Sequence, residues 1–269
     1  MVYSNFVLQI CSVICVLLTP VLYNTIQCDI EMPNSLTISA WNMNCKLSSS
    51  ELFLQDMMSR SDVIALSEHA LFKCEHHKLK GMDSNFDFDI KSYAKLKDEH
   101  FGTMRGQGGC AIGWNKRISP YVKPVCNIDC DRICAIQIQL DAFSLYVVSV
   151  YMPHANCIIA DYADVLKKLE CLVSELMSSG EVLIIGDINV NLGAEYGPRG
   201  YGRTSKNGKL FMNTLEKFNM CAVDMGVRCT GPNYSFSSTR GRSYIDHIIV
   251  TRQLCNYVWC EVVEDSVHN

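Results

Sequence analysis

The sequence predicts an α/β domain in which buried strands alternate with amphipathic helices, and three observations carry that expectation. The run Val182-Leu183-Ile184-Ile185 is apolar without alternation, as suits a strand covered on both faces, and it breaks off into Gly186-Asp187-Ile188-Asn189. Ahead of it, Asp161 to about Ser178 carries Val165, Leu166, Leu169, Leu172, Val173 and Leu176 at helical spacing and stops at Gly180. From Leu36 onward, strand-like and helix-like stretches keep alternating in this way.

The elements follow in order. Phe6 to Leu22 is largely apolar, but residues 1–28 hold no Lys or Arg and Pro20 interrupts the run. A signal-peptide core lacks its basic flank here, and a membrane span needs a longer run. A third reading, sequence foreign to the domain, is preferred, with residues 23–35 as a linker. The boundary is therefore drawn between an apolar N-terminal segment and linker, 1–35, and a domain, 36–269.

Leu36-Thr37-Ile38-Ser39-Ala40-Trp41 alternates like a strand and ends at Asn42; a helix from Glu51 to Ser59 follows behind a Ser N-cap. Val63 to Leu66 reads as a buried strand followed by Ser67-Glu68-His69. Another strand enters through Gly108-Gly109 and runs to Trp114. Ile133–Leu140 and Leu145–Tyr151 read as a hairpin. Residues 192–209 form a Gly-rich basic loop, and a helix resumes over Lys209–Phe218. Tyr244–Val250 and Val258–Val263 are the last strands. His69, His76 and His77 read as solvated loop residues.

Lys and Arg number 24 against 28 Asp and Glu, a net charge of −4, so no global basic field draws in nucleic acid. A phosphodiester would have to be held locally, and Arg105, Arg199, Arg203, Lys206, Lys209, Arg240 and Arg242 lie in loops. Of these, Arg203, Lys206, Arg240 and Arg242 are the candidate substrate contacts, weighed evenly against an ordinary solvated surface. The 15 cysteines are odd in number, include no Cys-x-x-Cys, and often sit in apolar runs, as do Cys110, Cys134, Cys171 and Cys221. They read as reduced thiols of an intracellular protein, nuclear or cytoplasmic. The apolar N-terminus leaves a membrane or secretory location open. A monomer without a nucleotide cofactor is expected.

Polar residues recur where strands end: Asn42, Glu68, Tyr151, the Asp187/Asn189 pair and Asp246. Glu68 offers hard oxygen to a divalent ion. Asp187 can orient or deprotonate water. Asn42 and Asn189 can hold reactants without adding negative charge, and Tyr151 can donate to a phosphorane. Each has a plainer reading: a turn cap for Asn42, core for Tyr151, a surface carboxylate for Glu68. All of these coinciding at equivalent strand positions is the less economical account.

Trp41-Asn42, Leu66-Ser67-Glu68, Val150-Tyr151-Met152-Pro153, Gly186-Asp187-Ile188-Asn189 and Ser243-Tyr244-Ile245-Asp246-His247 resemble, in order and spacing, motifs of the endonuclease/exonuclease/phosphatase superfamily. Arg105-Gly106-Gln107-Gly108-Gly109 and Tyr234-Ser235-Phe236 with Arg240-Gly241-Arg242-Ser243 are most similar to the endonuclease domain of non-LTR retrotransposons. The resemblance implies a four-layered α/β sandwich, two packed mixed sheets with outer helices. It also implies Mg²⁺-dependent cleavage of DNA phosphodiesters, with Mn²⁺ as the alternative ion. Glu68 would hold the metal with Asn42, Asp187 would position the nucleophile, and Asn42, Tyr151 and Asn189 would contact phosphate. Asp246 would orient a catalytic His.

The sequence departs from the family pattern in having no Ser-Asp-His; its last residues are Asp265-Ser266-Val267-His268-Asn269. His247 adjoins Asp246, so on a strand the two side chains face opposite ways, and neither His247 nor His268 is expected to stand in. The expectation is a DNA-nicking domain from a retrotransposon polyprotein, cut before its final motif and impaired. The alternatives are a catalytically dead remnant of the fold, or a phosphodiesterase acting on inositol phosphates, lipids or RNA.

Overall fold

The computed structural model describes residues 10–18, 35–92, 108–154, 157–238 and 241–264. In chain order its principal elements are β1 (Ile10–Leu18), β2 (Leu36–Asn42), α1 (Glu51–Arg60), β3 (Val63–Ser67), α2 (His76–Lys80), β4 (Phe86–Lys91), β5 (Cys110–Asn115), β6 (Val122–Pro124), β7 (Ile133–Gln139), β8 (Ser144–Tyr151), α3 (Ile159–Leu176) and β9 (Glu181–Asp187). They continue with α4 (Lys206–Lys217), β10 (Met220–Ala222), β11 (Cys229–Thr230), β12 (Phe236–Ser238), β13 (Gly241–Ser243), β14 (Asp246–Thr251) and β15 (Val258–Glu264).

The strands form two mixed sheets. One runs β11-β15-β1-β2-β3-β5-β4, with the β12–β13 hairpin joined to β1; the other runs β10-β14-β9-β8-β7-β6. In the first, β2 and β3 are parallel and carry α1 between them; in the second, β8 and β9 are parallel and carry α3. Crossover helices are what parallel neighbours require.

Alternation along each strand decides what the two faces meet. In β3, Val63 and Ala65 join the large core while Ile64 and Leu66 join a second cluster with Leu54, Met57, Met58 and Leu79 from α1 and α2. The large core takes the inner faces of both sheets together with Leu166, Leu169 and Val173 of α3 and Phe211 and Leu215 of α4. The order is helices, sheet, sheet, helices, the four layers the family resemblance implies. Each aliphatic side chain fully withdrawn from water contributes roughly 1.5–3 kcal/mol before entropy is set against it.

Several boundaries differ from the expectation for physical reasons. The helix placed at Lys209 begins at Lys206, because Ser205 caps it by accepting the Gly208 N–H at 2.9 Å. Ser50 precedes α1 as expected but makes no side-chain cap bond. The sequence reading passed over β4, although Phe86-Asp-Phe-Asp-Ile-Lys alternates with buried Phe86 and Phe88.

The apolar segment set outside the domain supplies β1, which lies antiparallel between β2 and β15. A nine-residue run that is apolar but for Ser12 suits an interior strand as well as a leader, so composition did not separate the two. The linker expected at 23–35 lies almost wholly outside the described residues. Among the described residues no helix is long and apolar enough to cross a membrane.

The expectation that all thiols are reduced is corrected at one pair. Cys221, on β10, is joined to Cys255, just beyond β14, by a disulfide closing 34 residues. Cys110, Cys134, Cys229 and Cys260 are among the cysteines that remain thiols. Cys221 pairs in register with Val250, so the fold brings these cysteines together and their spacing in sequence gives no sign of it.

Candidate active site

Both sheets point strand ends at one place. Across the second sheet Tyr151, Asp187 and Asp246 are register partners on β8, β9 and β14. Across the first, Asn42 pairs with Ser67, and Glu68 follows directly. Asn42 joins the two sets: its Nδ2 donates to Glu68 Oε1 at 3.1 Å and to Asp187 Oδ2 at 2.7 Å.

Local backbone chemistry presents each group. Glu68 sits at φ 54°, an uncommon conformation for a side chain with a Cβ. It is held there because its N–H donates to Gly109 O at 2.9 Å and its carbonyl accepts from Cys45 N–H at 2.8 Å. Gly186 turns at φ 134°, where a Cβ would meet Val150 O at 2.4 Å, so the Gly before Asp187 answers to its neighbour strand. Asp187 then folds its own chain: Oδ1 accepts the Asn189 N–H at 3.0 Å, an Asx turn, and Asn189 adopts φ 56°. Asn189 Nδ2 donates to Met152 O at 2.9 Å, tying this turn to the end of β8. Ser235 Oγ accepts both Ile245 N–H and Asp246 N–H at 2.9 Å and so fixes the start of β14.

The electrostatics are those of crowded acids. Asp187 is 1% exposed. Burial, and then the charges of Asp246 and Glu68, push its carboxyl well above the usual range. Burial likewise pushes Asp246 up to about 7, although Ser235 and His247 oppose the rise. The Tyr151 phenol is raised by burial, then by Glu68 and Asp187, and stays a proton donor. The Arg132 guanidinium carbon lies 4.7 Å from the Tyr151 ring centroid.

Asn42, Glu68, Tyr151, Asp187, Asn189 and Asp246 therefore come together. The basic candidates are not joined to them by any hydrogen bond or ion pair among the described residues. Arg203 and Lys206 are exposed, Arg242 lies over the Tyr234 ring at 4.3 Å, and Arg240 is outside the described residues. Arg199 is spent on the carbonyls of Cys229, Gly231 and Pro232. Asn42 Oδ1 accepts the Asn44 N–H at 2.9 Å, so its amide nitrogen faces the acids and bridges them.

The reading of His69 is corrected. It is buried, and Nδ1 accepts the Leu71 N–H at 3.0 Å while Nε2 donates to Lys91 O at 3.1 Å. Burial lowers it to about 4, so it is a neutral structural histidine under Gly109, where a Cβ would strike its ring at 2.4 Å. His247 turns away from the acids, as alternation predicts, to Asp224. Sequence reasoning gave no role to Arg132 or Asp224, and it met Ser235 only as part of the Tyr234-Ser235-Phe236 motif; Arg132, next to a strand opposite Tyr151, carried a positional hint.

A model of the Endonuclease/Exonuclease/phosphatase family matches residues 39–268. The chain belongs to that family. Family members are hydrolases acting on phosphodiester bonds, and the ordered motifs lie at the strand ends just described. Among solved structures the chain is similar to the AP endonuclease LMAP from Leishmania major, with TM-score 0.62 and 16% identity over 82% of this chain and 80% of that one. It is similar to the Xenopus laevis APE2 catalytic domain, with TM-score 0.60 and 14% identity over 85% and 93%. The endonuclease domain of TRAS1, a telomere-specific non-LTR retrotransposon, gives TM-score 0.56 and 15% identity over 81% and 85%. Identities this low establish the shared fold. Comparison with curated proteins gave no match.

Among the described residues no group of three or more His, Cys, Asp or Glu is arranged to hold a metal ion. The donor chemistry nevertheless fits a hard divalent cation: carboxylate oxygens crowd together, the proton affinity of Asp187 and Asp246 is raised, and Glu68 is half-exposed at their edge.

Proposed function

We propose that this chain is a divalent-metal-dependent phosphodiesterase that nicks DNA and belongs to a retrotransposon polyprotein. The observation that carries the reading is Asn42 bonded at once to Glu68 and Asp187, which gathers acids from both sheets at one site. The fold shared with the TRAS1 endonuclease domain supports the retrotransposon part.

Glu68 is the residue that would hold Mg²⁺, and the ion when bound neutralises charge on a phosphoryl oxygen. Asp187, with its proton affinity raised, takes a proton from the attacking water. Tyr151 keeps its phenol proton and donates it as a hydrogen bond to phosphate. Asn189 spends one amide hydrogen on Met152 O and offers the other to the substrate. Asn42 keeps Glu68 and Asp187 at their separation.

A general acid–base group contributes on the order of 10²–10⁴-fold, so removal of the Asp187 carboxylate is the decisive substitution. The test is nicking of supercoiled plasmid by excess protein with Mg²⁺ and with chelator. Nicking is expected with Mg²⁺, abolished by chelator and by Asp187→Ala. No metal-dependent nicking, or nicking indifferent to Asp187→Ala, would overturn the proposal.

A further inference from the structure

His247 follows Asp246 on β14 and faces the opposite side of the sheet. Its ring is fully buried, with Nδ1 2.8 Å from Asp224 Oδ2 and Nε2 3.0 Å from Val190 O. Asp224 is fully buried too, and its Oδ1 accepts the Ile248 N–H at 2.8 Å. The Tyr244 ring stacks on the imidazole with centroids 5.4 Å apart. An ionised carboxylate and a backbone carbonyl can only accept. Both bonds therefore form together only when both ring nitrogens carry hydrogen.

We propose that Asp224 and His247 form a buried carboxylate–imidazolium pair, a positioning device that fastens the turn bearing Asn189 to the strand bearing Asp246. The positioning role rests on the reading of Asn189 and Asp246 as site residues. The connection is short. Val190 follows Asn189, whose N–H is bonded to Asp187, and Ile248 lies two residues beyond Asp246. A neutral imidazole has one hydrogen and would secure one of these anchors.

The groups around the ring agree. Asp224 faces it from the turn after β10 and Asp246 acts from its own strand, while Gly186, its register partner on β9, has no side chain. Arg199 is beyond Tyr244, its guanidinium carbon 5.9 Å from that ring. Burial works against a charged ring, but the charge and hydrogen bond of Asp224, the Val190 carbonyl and Asp246 outweigh it and raise the histidine above its ordinary value. A charged group buried with its counter-ion is tolerated where an isolated one is not.

The test is nitrogen NMR of the full chain with ¹⁵N-histidine at pH 7, with His247→Gln assigning the signal. One ring with both nitrogens protonated is expected; a bare nitrogen on His247 would overturn the pair. Asp224→Asn should leave a singly protonated ring and speed hydrogen exchange of the Asn189 amide about 10-fold, with amides of the β7–β8 hairpin unchanged. Unchanged exchange at Asn189 would overturn the positioning role. If Asp224→Asn does not fold, the wild-type spectrum alone decides the charge state. Neither reading needs nicking, so an inactive chain with the pair intact would count against the nuclease proposal only.

Discussion

Asn42 touches carboxylates from both sheets, and its amide supplies one hydrogen to each. Asp at this position keeps the shape, removes both donors and adds a like charge. Asn42→Asp should therefore lower stability at pH 8 by roughly 3–5 kcal/mol, and by clearly less at pH 5, where the cluster takes up protons. Urea unfolding at the two pH values measures this, and an equal loss at both would sink the electrostatic account. Asn42→Ala removes the donors without the added charge and should cost about 1–3 kcal/mol. At this scale the sequence was legible where a polar residue ends an apolar run, as Asn42, Asp187 and Glu68 do. It was illegible where the partner is distant in the chain. Asp224 meets His247 across 23 residues, and nothing in Val223-Asp224-Met225 hints at it.

The strand ends depend on their glycines and on the strands beside them. Gly186→Ala places a methyl 2.4 Å from Val150 O at φ 134°. Strain of that kind costs of order 1–3 kcal/mol before the clash is counted, so a fall of at least several degrees in Tm is expected. A variant melting with wild type would show that β8 and β9 can part without loss. The larger element-scale claim concerns β1. It is paired along both edges, with β2 and with β15, so deleting residues 1–20 exposes two strand edges inside a sheet. The deleted chain should aggregate or lose its cooperative transition; a soluble monomer with unchanged Tm would return the segment to the outside of the domain. The strands from Leu36 on could be read from their own periodicity. The place of β1 could not, because it is set by pairing with a strand more than 200 residues away in sequence.

The two sheets close over one core, and that closure forces Glu68, Asp187 and Asp246 together at its edge. The consequence is a pH dependence belonging to the whole domain. Asp246 titrates in the fold at about 7 against an ordinary 3.8, and Asp187 is shifted in the same direction. A carboxyl raised on folding contributes stability that is fully present below its ordinary value and is lost as pH rises through the folded one. His247, raised by its partners, loses its contribution in the same direction above its ordinary 6.5. His69, lowered to about 4, opposes them: its contribution is present above 6.5 and fades as pH falls toward 4. Between pH 6 and 8 the acids and His247 act together, so the metal-free domain should melt at a lower temperature at pH 8 than at pH 6. A divalent cation competes with the protons these carboxyls would otherwise keep, so it binds better as pH rises. Mg²⁺ at about ten times its dissociation constant contributes about 1.4 kcal/mol, or about 3–6 °C for a domain of this size. That shift should appear at pH 8 and shrink at pH 6. Scanning calorimetry at both pH values, with and without Mg²⁺, measures it, and Glu68→Gln should remove most of the pH 8 shift. A Mg²⁺ shift larger at pH 6, or one untouched by Glu68→Gln, would place the ion away from the acids that join the two sheets.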